Sequence, residues 1–235
     1  MSADASPTPL AVDDHGAVRV LTLDRPERRN ALSRDLLEQL IAAMEVAATT
    51  ESVRVVVVTG RGGTFSSGVD LKDPRAGDGP AYPQVLHALA RTVRGVPKPV
   101  IAAIEGYAFG AGLALALAAD LRFAHPDAQL AEAYIRIGRY PGGGDAVLLP
   151  RIVGASRALR MLWSGDTVSG RDALTFGLVD EVHDDPFAAA LAFAATLADK
   201  PAAPLALVKR AVYELRELPL ADALAASLRL AAEQP

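Results

Sequence analysis

No cysteine occurs among the 235 residues. That absence excludes disulfides, thiolate zinc sites, iron–sulfur clusters and a cysteine nucleophile. Aromatic residues are scarce, at 5% of a chain that is 51% hydrophobic, so the interior has to be built from Ala, Val and Leu. A surplus of positive charge is missing too. The formal net charge is -4, whereas a nucleic-acid partner calls for a broad basic face; a few local arginines would still serve a phosphorylated small molecule. An apolar run such as Leu113 to Ala119 is far too short to cross a bilayer, so no membrane partner is expected. The opening MSADASPTPLAVDD lacks the basic and then apolar pattern of a secretion signal. Residues 1–14 therefore read as a flexible tail and the cytoplasm as the compartment. His15, His125 and His183 are scattered without ligand-like spacing, and no metal site is expected. The G-x-x-x-x-G-K-[ST], H-E-x-x-H, G-x-S-x-G and G-x-G-x-x-G patterns are all absent, which removes the common nucleotide, zinc-protease, serine-hydrolase and dinucleotide readings.

What the sequence does contain is a regular alternation of strands and helices. Ala17–Leu23 (AVRVLTL) alternates apolar and polar residues and ends at Asp24-Arg25-Pro26, as a half-buried strand does. Ser33 can cap a helix carrying Leu36, Leu37, Leu40, Ile41 and Met44 at helical spacing. Val53–Thr59 is a near-continuous β-branched run, the mark of a strand covered on both faces. Val85, Leu86, Leu89, Ala90 and Val93 mark another helix, closed by Gly95 and Pro97. The unit then repeats: a buried strand over Lys98–Ile104, a glycine-punctuated turn over Glu105–Gly112, and a helix over Leu113–Ala119. Leu121–Ala124, Gln129–Ala131 and Leu178–Val182 read as short strands, and three Ala/Leu-rich helices run to the end. The pattern predicts an α/β core over 15–185 followed by a helical region over 186–235.

Two segments carry chemistry: FSSGVDL (65–71) and GYAFGAGLAL (106–115). Each sets glycine after a buried strand and ahead of an apolar or helical run. Amides at such turns point outward as unpaired donors, and two that converge form an oxyanion hole. Glycines at these places also serve plain tight packing of strand on helix, and spacing alone leaves both readings open.

Taken together, RPERRNALS (25–33), VVVVTGRGGTFSSGVDL (55–71), KPVIAAIEGYAFGAGLALALAADLRFA (98–124), YPGGGDAVLLPRIVGASRALRML (140–162) and ALTFGLVDEV (173–182) occur in the order seen in the enoyl-CoA hydratase/isomerase (crotonase) superfamily, which the chain resembles. The resemblance implies a crotonase-like spiral of ββα turns with a helical C-terminal region, a homotrimer or hexamer, and an acyl-CoA thioester substrate. It implies no cofactor beyond the coenzyme A moiety of that substrate. By motif position the oxyanion amides belong to Val69 and Ala111, and the adenine and phosphate side falls near Arg28, Arg29, Ala31, Ser67 and Asp70. Arg25, Arg28 and Arg29 form a basic cluster consistent with that placement, although a solvated turn would look the same.

The departures from the family pattern are specific. The catalytic Glu of hydratases that lies four residues beyond the glycine preceding the second oxyanion residue is Ala114 here, and the second Glu position is Tyr134. The resemblance therefore implies a carbonyl-polarising site with altered proton transfer. Tyr134 can donate or orient a proton or fill vacated space as a core aromatic. Asp145 follows three glycines, in the loop that closes over the acyl group in relatives, and can act as a base there or cap the helix ahead of AVLLPRI. Tyr140 is a weaker candidate of the same kind. Glu132 shares a face with Tyr134 if that stretch is extended, and His87 shares a stripe with Gln84, Arg91 and Arg94, which reads as a solvated face. The C-terminal helical region is shorter than the family pattern. Hydration/dehydration or double-bond isomerisation is the nominal reaction. A CoA-thioester decarboxylase and a non-catalytic acyl-CoA-binding or assembly subunit are the alternatives.

Overall fold

The computed structural model describes residues 8–77 and 81–233. Strand β1 (Leu10–His15) pairs antiparallel with β2 (Val18–Leu23). The expected tail is thus a strand from Leu10 onward, and residues 1–7 lie outside the described residues. The acidic DDH run reads as solvated loop, and it is largely exposed. An edge strand needs only backbone pairing and one buried side chain, here Leu10. Asp14 lies directly across from Arg19 and pairs with it at 2.8 Å.

Helix α1 (Arg34–Thr49) begins where Ser33 accepts a hydrogen bond from the Leu36 N–H at 3.3 Å, and it buries Leu36, Leu37, Leu40 and Met44. Then come β3 (Val55–Gly60), α2 (Ala81–Gly95), β4 (Val100–Ile104), β5 (Tyr107–Phe109) and α3 (Ala111–Ala118). The next turn supplies β6 (Leu121–Ala124), β7 (Gln129–Ala131), a 3-10 turn over Ala133–Ile137, α4 (Asp145–Val153) and α5 (Ala155–Ser164). The chain continues through β8 (Val168–Ser169), α6 (Gly170–Thr175), β9 (Glu181–Val182), α7 (Pro186–Ala198), α8 (Ala202–Leu215) and α9 (Leu220–Ala231). Of the strand expected over Leu178–Val182, only Glu181–Val182 pairs, with β6.

The main sheet runs β1-β2-β3-β4-β6-β9 and a smaller one runs β5-β7-β8. Successive turns feed both sheets: β4 and β6 enter the first, β5 and β7 the second, all in parallel. An earlier turn reaches the small sheet through a single bridge, Ser66 with Ala108, and the turn before it bridges to that one through Leu32 and Val69. This is the spiral of ββα turns.

The β-branched runs are buried on both faces because strand pleating splits them between two cores. Val56 and Val58 face the helices α1 and α2, together with Leu21, Leu23, Ala102 and Ile104. Val55 and Val57 face the other way, with Val18, Val20, Ile101 and Phe123, and there they meet Ala190 and Ala194 of α7. Helix α7 is therefore part of the core, so the expected boundary at residue 186 falls inside one packed unit. Helix α8 buries no residue fully and is pinned by polar contacts. Lys209 pairs with Asp120 at 2.9 Å, Tyr213 donates to the same carboxylate at 2.7 Å, and Arg94 lies over the Tyr213 ring at 4.2 Å. Among the described residues no single helix is long and apolar enough to cross a membrane.

Candidate active site

The site forms where the loop after β3 runs beside β5. Phe65 and Ser66 donate from their amides to Glu105 and Tyr107 at 2.7 Å each, and Phe109 donates back to Ser66 at 3.0 Å. On the other side, the Leu32 amide donates to Gly68 at 2.7 Å and the Asp70 amide to Leu32 at 3.0 Å. Val69 sits between those two bonds with its own N–H turned away from them. Ala111 is the first residue of α3, so its N–H has no partner within the helix. Among the described residues neither amide has an acceptor. Gly68 brings the two loops together. Its φ is +94°, and a Cβ there would lie 2.5 Å from the Phe109 carbonyl oxygen and 3.5 Å from the Ala111 nitrogen. Only glycine fits.

The two amides open onto a cleft of about 190 Å³ whose walls include Ser67, Leu71, Phe109, Tyr134 and Ile137. That space is too small for a whole nucleotide. On the far side of Ala111 and Ala114 there remains a void of about 10 Å³, about one water.

Tyr134 closes the cleft from the 3-10 turn. A Cβ on Gly110 would come within 3.3 Å of its ring, so the ring lies against the turn that presents the Ala111 amide. Its hydroxyl points toward Gly143, where a Cβ would meet Ala114 Cβ at 2.8 Å, Asp145 Oδ2 at 2.9 Å and Tyr134 Oη at 3.3 Å. Ala114 and Tyr134, the two positions where the resemblance implies glutamate, thus converge on a third residue, Asp145.

Asp145 opens α4, with Gly144 as the cap residue, and is completely buried. Its Oδ2 accepts from the Gly143 amide at 3.0 Å, so it does not cap the helix in the expected way. Nor does it line the cleft: the structure places it behind Tyr134. Burial pushes its pKa up to about 6, against the opposing pull of its own amide, the Gly143 amide and Glu132. Glu132, named from its spacing to Tyr134, is 1% exposed. The stretch from Ala133 is a 3-10 turn and not extended, so the shared-face argument fails, yet the turn carries Glu132 inward to Asp145. Burial first, and Asp145 next, raise the Glu132 carboxyl well above its ordinary range. Burial, Asp145, Glu132 and Tyr82 together keep the Tyr134 phenol protonated.

The other candidates disperse. Tyr140 is 77% exposed and His87 is exposed on α2, beside Gly144. Arg28 and Arg29 are exposed, and neither forms an ion pair among the described residues. Asp70 is buried and paired with Arg25 at 2.9 Å. Ala31 uses its carbonyl to accept from Arg25 at 2.6 Å and its amide to donate to Arg28 at 3.1 Å. Asp70 and Ala31 therefore hold the loop in shape, while Ser67 and the two arginines face outward. Asn30, buried at φ 52°, accepts from the Arg25 amide and donates to the Arg61 and Thr64 carbonyls, tying this loop to the one that carries Val69.

Known proteins give this geometry its context. The sequence model of the family described as enoyl-CoA hydratase/isomerase matches residues 13–234. A probable enoyl-CoA hydratase of Mycobacterium avium is 38% identical over 215 residues, 89% of this chain and 83% of that protein. The 2,3-dehydroadipyl-CoA hydratase of Escherichia coli is 39% identical over 230 residues, covering 94% and 88%. Among solved structures, an enoyl-CoA hydratase from Bacillus anthracis superposes with a TM-score of 0.92 at 30% identity, over 95% of this chain and 90% of that one. With the family model spanning nearly its whole length and the ββα spiral shared, this chain belongs to the enoyl-CoA hydratase/isomerase (crotonase) family.

Proposed function

We propose that the chain is an acyl-CoA-processing enzyme that forms a thioester enolate, with hydration/dehydration or double-bond isomerisation as its reaction. The observation that carries this reading is the meeting of two unpartnered amides, Val69 and Ala111, at one cleft that the Tyr134 side chain closes. The amides stabilise charge on the thioester oxygen, aided by the N-terminus of α3. Tyr134, which lines the cleft, is the group proposed to exchange a proton with the acyl carbon, and its hydroxyl, turned toward Gly143 at rest, has to swing into the cleft to do so. Arg28, Arg29 and Ser67 take the nucleotide side of coenzyme A, and Leu71 and Ile137 take the apolar acyl group. A homotrimer suits the outer face of α9, where Leu220, Leu224 and Leu228 are 76%, 60% and 75% exposed.

One observation favours a second reaction. The residues lining the cleft include no carboxylate. Loss of CO2 from a malonyl-type thioester leaves the bonding electrons in the enolate and needs no base, only a proton donor, which Tyr134 supplies.

Mass-spectrometric turnover of a mixed panel of enoyl, 3-hydroxyacyl, malonyl-type and aryl thioesters tests both. The key variant is Ala111→Pro, which removes the amide hydrogen at the first helical position, where proline is tolerated. Product from one thioester class, reduced about 10²- to 10³-fold in the variant, is the expected result. Binding of CoA esters without any product would assign a binding or assembly role instead, and full activity in a folded Ala111→Pro protein would remove the oxyanion assignment.

A further inference from the structure

The two amides at the cleft are held in different ways. The Ala111 N–H belongs to the peptide group that carries the Gly110 carbonyl, and that carbonyl accepts from the Ala114 amide at 2.8 Å, the opening bond of α3. The helix therefore aims the Ala111 N–H by itself. The Val69 N–H lies in a loop, and its peptide group carries the Gly68 carbonyl. A trans peptide is planar, with its N–H and C=O pointing in opposite directions. Whatever holds the Gly68 carbonyl thus aims the Val69 N–H the other way.

Leu32 holds it, through an amide that donates to the Gly68 carbonyl at 2.7 Å. Leu32 is fully buried just ahead of the Ser33 cap of α1, where it pairs with Val69 as an isolated bridge. Its own carbonyl has room for two hydrogen bonds. One comes from the Asp70 amide at 3.0 Å. The other comes from the hydroxyl of Tyr82, buried in the first turn of α2 and 50 residues further along the chain. The Asp70 bond moves with the loop that has to be placed, whereas Tyr82 reaches Leu32 from outside it. Burial, and next Asp73 and Asp70, push the Tyr82 phenol above its ordinary range, so it remains a donor at neutral pH.

Resting on the enolate reading above, we infer that Tyr82 is a positioning residue for the oxyanion hole. Its hydroxyl fixes Leu32, Leu32 fixes the Gly68–Val69 peptide, and the N–H of that peptide meets the thioester oxygen. Tyr82 is not among the described residues that line the cleft, so it acts only through this chain of bonds. Tyr82→Phe keeps the ring and leaves the Leu32 carbonyl with the Asp70 amide alone. The Val69 N–H is then still present but less strictly aimed. Deleting an oxyanion donor costs about 10²- to 10³-fold, and loosening one should cost less, about tenfold in kcat.

Two measurements on the wild type, Tyr82→Phe and Ala111→Pro test this. The first is the infrared band of a saturated acyl-CoA, isotope-labelled at the thioester carbonyl and bound to the folded protein. Hydrogen bonds to the carbonyl oxygen lower the frequency of that band. The wild type lowers it relative to the free thioester, and both variants lower it less. The second is steady-state kinetics with the thioester class that turns over, where Tyr82→Phe lowers kcat about tenfold and changes KM less than about twofold. An unaltered band in Tyr82→Phe, or a loss confined to KM, overturns the inference even if urea unfolding shows the variant to be less stable, because a hydroxyl that only secures α2 would cost stability and leave the band in place. The band needs no turnover, which separates the two possible failures. A wild type that binds the thioester without lowering the band removes the oxyanion hole and the reading on which the inference rests. A wild type that lowers it, beside an identical Tyr82→Phe, removes the inference alone. Should Tyr82→Phe fold poorly, Tyr82→Met fills the space without a hydroxyl and takes its place.

Discussion

Replacing Asp145 with Asn should change how the stability of this protein depends on pH, by an amount that follows from its burial. Asn keeps the shape and can still accept from the Gly143 amide, so the substitution removes ionisation and little else. In the wild type the Asp145 carboxyl rises from an ordinary 3.8 to about 6 on folding, chiefly because it is buried. A carboxyl with a raised folded pKa binds its proton more tightly in the native state. Its stabilising contribution is complete below 3.8 and disappears as the pH climbs through about 6. At 1.36 kcal/mol per pH unit, the wild type should lose about 3 kcal/mol relative to Asp145→Asn across that window. Glu132 stays buried in both proteins, so the burial part of its contribution cancels, while the part that Asp145 adds is lost in the variant. Urea unfolding of both at half-unit steps from pH 4 to 7.5 measures the difference directly. The gap between the curves should move steadily in favour of the variant up to about pH 6 and flatten above it. A gap that stays constant, or moves toward the wild type, would mean that Asp145 is solvated or paired with a cation in solution, and the burial argument would fail.

Two further outcomes test the walls of the site. Asn30→Ala removes one accepted and two donated hydrogen bonds and leaves Ala at φ 52°; thermal and urea unfolding should show a loss of about 4 kcal/mol, with turnover falling as the Val69 loop loosens. Arg28→Ala and Arg29→Ala, both exposed, should raise KM for CoA thioesters severalfold with kcat nearly unchanged. A fall in kcat at constant KM would place the nucleotide elsewhere.

Much of this architecture can be read from local patterns. The Val55–Val58 run announces a strand buried on both faces, and the structure divides its residues between two cores. Ser33 announces α1, and Gly95 with Pro97 announces the end of α2. The strands that escape notice are those stabilised by backbone pairing rather than by side-chain burial. Strand β1 is one, and β5 is another, three residues that look like part of a glycine turn. In the site, Val69, Ala111 and Tyr134 follow from motif position, and they come together at the cleft. Glu132 does not, because a glutamate in a connecting segment is nearly always solvated. Nothing local announces that a 3-10 turn will carry it inward. The available hint is the pairing of an acidic residue on each side of the YPGGG run, and its meaning depends on a contact distant in sequence. Asp70 and Ala31, in the same motif, also pair within the loop, with Arg25 and Arg28.

Strand β1 has a consequence for how copies of this protein behave in a crowded solution. A six-stranded sheet has two free borders where a foreign strand can dock and begin aggregation. One border here is β9, two residues long and too short to template anything. The other is β1, whose exposed half reads Asp13-Asp14-His15. An incoming copy of the same segment, aligned parallel and in register, would set Asp13 against Asp13 and Asp14 against Asp14. The residues that look like an unstructured tail therefore act as a guard, keeping a valine-rich sheet from growing beyond its own chain.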